Sequence, residues 1–217
     1  MIQLNLNVEK TGPLNVLCLG CHSDDIEIGC GGTILRLAEE YPGAVFHWVV
    51  FSATGARREE AQHAANLFVG ASRLKGPHLH AFKDGFMPFV GAEVKAVFEE
   101  LKQSVSPDLI FTQNRKDFHQ DHRLIGELTW NTFRNHFILE YEIPKYDGDL
   151  GQPTVFAPLE LSVCQKKVQY LLEAFQSQRS KRWFQEDTFL SLMRLRGMEC
   201  NAPSGYAEAF YCHKLVL

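Results

Sequence analysis

The sequence lacks any run of about 18 uncharged apolar residues, the length a membrane-spanning helix needs. It has no Lys/Arg tract, and 22 basic residues against 26 acidic ones give a formal net charge of −4. Nucleic acid is therefore not an expected partner. No internal repeat, low-complexity tract or linker divides the 217 residues, so one domain over residues 1–217 is expected. The opening MIQLNLNVEK has no basic stretch followed by an apolar one, the pattern of a secretory leader, and the expected location is cytoplasmic. The fingerprint G-x-G-x-x-G is missing as well. Its nearest approach, Gly29-Cys30-Gly31-Gly32, follows two carboxylates that would repel a pyrophosphate. That counts against a nucleotide-dependent Rossmann-type transferase, one of two rival readings.

What is there is ordinary globular composition, 45% hydrophobic and 22% charged. Six cysteines invite a disulfide framework, but free packing thiols are the expectation without a leader. Cys18-Leu19-Gly20-Cys21-His22 matches the c-type haem attachment spacing. Cys18, however, sits in an apolar run expected to be a buried strand, where cysteine behaves as a small hydrophobe.

Short apolar runs alternate with amphipathic stretches, the signature of parallel βαβ units. Strands are expected over residues 14–20, 44–51, 79–82 and 108–112, with helices over 33–41, 57–68, 93–105 and 122–134. Beyond these the rhythm loosens: strands over 137–143, 154–157 and 207–216, and helices over 163–176 and 189–196. The fold class is α/β, a three-layer Rossmann-like domain with a mostly parallel sheet and an irregular C-terminal cap.

In such sheets ligands gather at the carboxyl ends of the parallel strands. The unusual polar residues fall in those loops. His22-Ser23-Asp24-Asp25 follows the first strand, and Asp117-Phe118-His119-Gln120-Asp121-His122 follows the fourth. A catalytic zinc takes three N/O ligands and keeps one position open; His22, Asp25 and His122 would supply such a set. Asp24, next to a ligand yet free, could take a proton from the attacking water. His119 could stabilise the oxyanion or protonate the departing amine, and Asp121 could orient an imidazole through its other nitrogen. The bland alternatives are a helix N-cap for the carboxylate pair and solvated loop histidines. His47, His63, His78, His80 and His136 follow no ligand spacing, His213 lies in the last strand, and Trp183-Phe184 is expected to pack the cap rather than stack a sugar.

At these residues the sequence resembles the LmbE-like, or PIG-L-like, family of zinc-dependent N-deacetylases. Its His-Pro-Asp-Asp motif with a following Glu and Gly-Gly pair corresponds to His22-Ser23-Asp24-Asp25, Glu27 and Gly31-Gly32-Thr33. Its Thr-x-Gly turn and helix-opening Arg-x-x-Glu are matched by Thr54-Gly55 and Arg57-Arg58-Glu59-Glu60, its Asp-Gly by Asp84-Gly85, and its His-x-Asp-His by His119-Gln120-Asp121-His122. Tyr206-Ala207-Glu208-Ala209-Phe210 is similar to a phrase near the family's C-terminus. The resemblance implies a Zn²⁺ enzyme, with another divalent ion such as Fe²⁺ compatible with the same donors. His22, Asp25 and His122 would be the ligands, Asp24 the base and His119 the acid. Arg57 and Asp84 would contact the substrate, an N-acetylglucosamine-like sugar or conjugate. Glu208 would support the metal loops. Two positions depart from the pattern: Ser23 stands where Pro is usual, freeing a φ angle, and Asp117 where some relatives carry an aromatic. The second rival is a non-catalytic metal-binding protein of the same fold, and a homo-oligomer stays open.

Overall fold

The computed structural model describes residues 13–216, so the opening MIQLNLNVEK and the expectation drawn from it lie outside the described residues. Seven strands form one sheet in the order β3-β2-β1-β4-β5-β7-β6: β1 (Asn15–His22), β2 (Val45–Ser52), β3 (Leu74–Leu79), β4 (Leu109–Gln113), β5 (Phe137–Tyr141), β6 (Val155–Pro158) and β7 (Ala207–Tyr211). The first five strands pair in parallel, while β7 runs antiparallel to both β5 and β6. The helices are α1 (Asp25–Glu40), α2 (Ala56–Val69), α3 (Gly91–Ser104), α4 (Gln120–Thr132), α5 (Leu161–Ala174) and α6 (Glu186–Glu199). Among the described residues no helix is long and apolar enough to cross a membrane.

The continuous apolar strands follow from burial on both faces. In β1, Val16 and Cys18 enter a core with α1, α2, α5 and α6, whereas Leu17, Leu19 and Cys21 enter a second core with α3 and α4. This alternation makes three layers. It also puts Cys18 and Cys21 on opposite sides of the sheet, so they cannot share a haem or a disulfide, and all six cysteines are free. Strand order reverses at β1, with β2 on one side and β4 on the other. The loops leaving β1 and β4 therefore meet over a crevice at the sheet's carboxyl edge.

Three elements differ from expectation. The first helix starts at Asp25 and runs through Gly29, Gly31 and Gly32, eight residues ahead of the expected start at residue 33. Glycine there costs helix propensity, about 1 kcal/mol each, but is required by packing. A Cβ at Gly29 would meet the Tyr141 ring at 2.1 Å, one at Gly31 the Phe68 ring at 2.5 Å, and one at Gly32 Leu159 at 2.5 Å. The third strand is Leu74–Leu79 and not 79–82. It contains Gly76-Pro77, which hides the pattern, and lies at the sheet edge, where Pro is tolerated. The C-terminal part is more regular than expected: α5 and α6 are full helices, and β6 and β7 extend the same sheet.

Glu208, on β7, binds the middle of α1 rather than the loops after the strands. Its oxygens accept the N–H groups of Gly32 (2.8 Å) and Thr33 (2.6 Å), the Thr33 hydroxyl (2.6 Å) and the Lys167 ammonium (2.7 Å). Lys167 also donates to Ile28 O at 2.6 Å.

Candidate metal centre and catalytic site

Each functional loop is a strand end passing directly into a helix. His22 is the last residue of β1, Asp24 the N-cap of α1, and Asp25 its first residue. His119 caps α4, and His122 lies in its first turn. Two helix N-termini thus converge on the crevice, a favourable place for carboxylate charge.

The three expected ligand atoms come together. His22 Nδ1 and His122 Nε2 are 3.1 Å apart, and Asp25 Oδ2 is 3.5 Å from each. Zinc bonds of about 2.0–2.1 Å in tetrahedral array separate neighbouring ligand atoms by about 3.3 Å, so the triangle fits such an ion. Asp25 is held from behind: Oδ2 accepts the His22 N–H at 2.7 Å and Gln113 Nε2 at 2.5 Å. Burial raises its pKa, but the His122 and His22 imidazoles outweigh this and keep it a carboxylate. Cys21 lies close enough to count as a fourth donor. However, burial pushes its thiol up to about 12, and its sulfur contacts Met87 Sδ at 3.7 Å in the second core.

Each imidazole carries a carboxylate on its remaining nitrogen, the arrangement that fixes tautomer and ring orientation in metal-ligating histidines. His122 Nδ1 bonds Asp117 Oδ2 at 3.0 Å, and His22 Nε2 bonds Asp84 Oδ1 at 2.9 Å. The expectation for Asp121 changes accordingly. Its Oδ2 is 3.9 Å from His22 Nε2, beyond hydrogen-bonding range. Fully buried, it accepts instead the N–H groups of Gly85 (2.6 Å) and Met87 (3.2 Å) and so fastens the loop that bears Asp84. The hydrogen bond from His22 holds the Asp84 carboxyl at about 2.

Asp24 is not free. Arg57 Nη2 donates to its Oδ1 at 2.6 Å, while the second contact, Nη1 to Oδ2, is a long 3.5 Å. The expected substrate-contacting arginine is thus engaged with the expected base. His119 accepts the Asp121 N–H on Nδ1 at 3.3 Å, which leaves Nε2 as the protonated nitrogen. Burial, followed by the neighbouring His122 and His22, lowers its pKa and favours the neutral ring.

Other participants escape sequence reasoning because their proximity is tertiary. Gln113 ends β4 but gives no ligand-like signal. Lys145 donates to Asp117 Oδ2 at 2.9 Å and Asp149 at 2.7 Å. Asp117 itself could have been found, since Asp-x-His-x-Asp-His places it on the same turn as both histidines. The excess histidines lie elsewhere: His63 pairs with Glu173 at 3.3 Å, His80 stacks on Phe51, and His213 faces Glu140 at 3.3 Å. The triangle opens into a cavity of 540 Å³ whose lining includes Asp24, Arg57, Asp84 and His119, within the usual size for a small-molecule site.

Comparison with known proteins gives a consistent picture. The family described as PIG-L, GlcNAc-PI de-N-acetylase, matches residues 17–133, more than half of the chain. The uncharacterized deacetylase YaiS of Escherichia coli is 28% identical over 139 residues, 59% of this chain and 74% of its own. The fold is shared with N,N'-diacetylchitobiose deacetylase from Pyrococcus horikoshii, with a TM-score of 0.67, 21% identity, and 92% of this chain and 84% of that one covered. It is shared equally with GalB, the 4-carboxy-2-hydroxymuconate hydratase of Pseudomonas putida, at a TM-score of 0.66, 19% identity, and 94% and 97% coverage. Deacetylase and hydratase stand almost level, so the fold by itself does not choose the chemistry.

Proposed function

Because the chain belongs to the PIG-L, GlcNAc-PI de-N-acetylase, family, we propose that it hydrolyses the N-acetyl amide of an amino-sugar-like substrate with the help of one zinc ion. The observation that carries this reading is the His22–Asp25–His122 triangle, with Asp24 and His119 lining the cavity it faces. His22, Asp25 and His122 would hold the ion. When bound, it supplies Lewis acidity, which polarises the amide carbonyl and makes water more acidic.

The chain's own groups do the rest. Asp24 takes a proton from the attacking water as oxygen bonds to the acetyl carbon. Arg57 serves that step by fixing Oδ1 at 2.6 Å, so that Oδ2, only distantly contacted, is the oxygen for the proton. The Nε2–H of His119, set by the cap bond on Nδ1, donates to the developing oxyanion. The proton on Asp24 passes to the departing nitrogen as the C–N bond breaks, leaving acetate and a free amine. Asp84 and Asp117 keep the imidazoles oriented.

The test is elemental analysis of the purified protein together with acetate release from a panel of N-acetylated sugars. About one zinc per chain and release of acetate are the expected results. Stoichiometric metal with no amide hydrolysis across the panel would favour the non-catalytic rival. Absence of metal binding would overturn the ligand set.

A further inference from the structure

The cavity reaches beyond the catalytic groups to Gln178, Lys181 and Trp183, from the connection between α5 and α6, and to Tyr146, from the connection between β5 and β6. This outer wall is firmly anchored. The Ser177 N–H and hydroxyl both donate to Glu60 at 2.7 Å. Phe184 is fully buried and packs edge-on against Phe175 and Phe189. Trp183, adjacent and half-buried, packs edge-on against Phe184 at 5.5 Å. Such anchoring preorganises the indole at the cavity, which lowers the entropy cost of binding against it.

Charge singles out one residue of this wall. Arg57 is consumed by Asp24, and Lys145 by Asp117 and Asp149. Of the cavity's carboxylates, Asp24 faces Arg57, Asp25 faces two imidazoles, Asp84 takes His22 Nε2, and Asp147 stands 3.9 Å from Lys145. Lys181 alone among the cavity's cations has no carboxylate within ion-pair distance among the described residues. Its ammonium lies over the face of Trp183, 5.6 Å from the ring centroid. An unneutralised ammonium beside a fixed indole suits a ligand that offers negative charge next to an apolar ring or chain.

We infer that Lys181 and Trp183 form a second subsite, which takes the part of the substrate beyond the amide-bearing sugar, and that this part carries an anionic group. The inference rests on the amide-hydrolysis reading and adds to it the charge class of the conjugate. Lysine engages such a group as a point charge, so a phosphate ester and a carboxylate both qualify.

The test compares kcat/KM for N-acetylglucosamine, its 1-phosphate and N-acetylmuramic acid, the last two separating phosphate from carboxylate. The wild-type protein is expected to prefer at least one anionic substrate by about tenfold, the scale of one charged hydrogen bond, and to express the preference in KM. Lys181→Met should bring that ratio to about one, Lys181→Arg should retain it, and added salt should shrink it. Trp183→Ala should raise KM more for the two anionic sugars than for N-acetylglucosamine, with unfolding curves confirming that each variant folds. Equal kcat/KM for the three sugars, or a preference that survives Lys181→Met, would overturn the subsite. If no sugar releases acetate, the hydrolase reading falls instead. Calorimetric binding of glucosamine 1-phosphate against glucosamine then decides the subsite separately, with equal affinities counting against it.

Discussion

Helix α1 is held by two buried charged clusters, and they are built on opposite plans. At its middle, Glu208 and Lys167 address the Gly32 N–H and the Ile28 carbonyl, the two groups that a regular helix would pair with each other. Both Glu208 oxygens are filled, and both side chains are 3% exposed. At its N-terminus, two imidazole nitrogens and a carboxylate oxygen crowd within 3.1–3.5 Å and open into a cavity. The first cluster closes on itself and needs nothing more. The second gathers two imidazole nitrogens and a carboxylate oxygen, a donor set suited to a divalent cation, at the edge of an open cavity. The contrast sets a cluster whose charges are matched inside the core against one that faces a cavity, without reference to any relative.

The largest expected effect tests whether the open cluster is a metal site. His122→Ala removes one vertex of the triangle, and two remaining donors hold zinc poorly. Metal content by elemental analysis should collapse and turnover should fall to background. Full occupancy in this variant would mean that the ion sits elsewhere.

Next comes the distinction between two adjacent aspartates. Asp24→Asn keeps size and removes the basic oxygen, so metal should stay while kcat falls by about 10²–10⁴-fold, the usual worth of a general base. Asp25→Asn should lower metal affinity, because a neutral amide is a poorer ligand than a carboxylate. In a zinc titration of the hydrolysis rate, added zinc should restore part of the activity of the Asp25 variant and none of the Asp24 variant. The opposite pattern would exchange the two roles.

A smaller effect is expected one bond further out. Asp117→Asn weakens the carboxylate on His122 Nδ1 and should cost about 10–100-fold in metal affinity or turnover, as is usual for such partners. Asp121→Asn should act through the loop at Gly85 and Met87 instead. If it weakens metal binding more than Asp117→Asn does, then Asp121 and not Asp117 governs the imidazoles.

These residues also show what was legible before any geometry. The βαβ rhythm came from apolar runs, as in β1, whose alternate side chains feed two cores. The strand-end rule then brought His22, Asp25 and His122 to one edge. Which carboxylate serves which imidazole was not legible, because Asp84, Asp117 and Asp121 are identical in chemistry and differ only in where the folded loops aim them. Gly29, Gly31 and Gly32 hid the first turns of α1 because their cause lies far along the chain, in Tyr141, Phe68 and Leu159. Lys181 gave no signal and Trp183 was expected only to pack the cap, for the same reason: their place at the cavity depends on how the cap docks on α2 through Glu60 and Ser177.

The smallest expected effect on chemistry comes from the closed cluster, and it is the strictest test of the comparison. Lys167→Met keeps an unbranched side chain one atom shorter and removes its charge. It leaves the buried Glu208 side chain with three donors and no cation. Breaking such a pair from one side typically costs about 3–5 kcal/mol, which in a chain of this size lowers Tm by roughly 6–20 °C. Adding Glu208→Gln removes the stranded charge and should recover part of that loss, as a double-mutant cycle would show. Zinc content and kcat/KM per folded molecule should stay at wild-type levels in both proteins below their transitions, because the affected hydrogen bonds lie at Ile28, Gly32 and Thr33, away from the helix N-terminus. If metal affinity falls while Tm does not, the two clusters are coupled along α1, and the division between structural and functional ends of the helix is wrong.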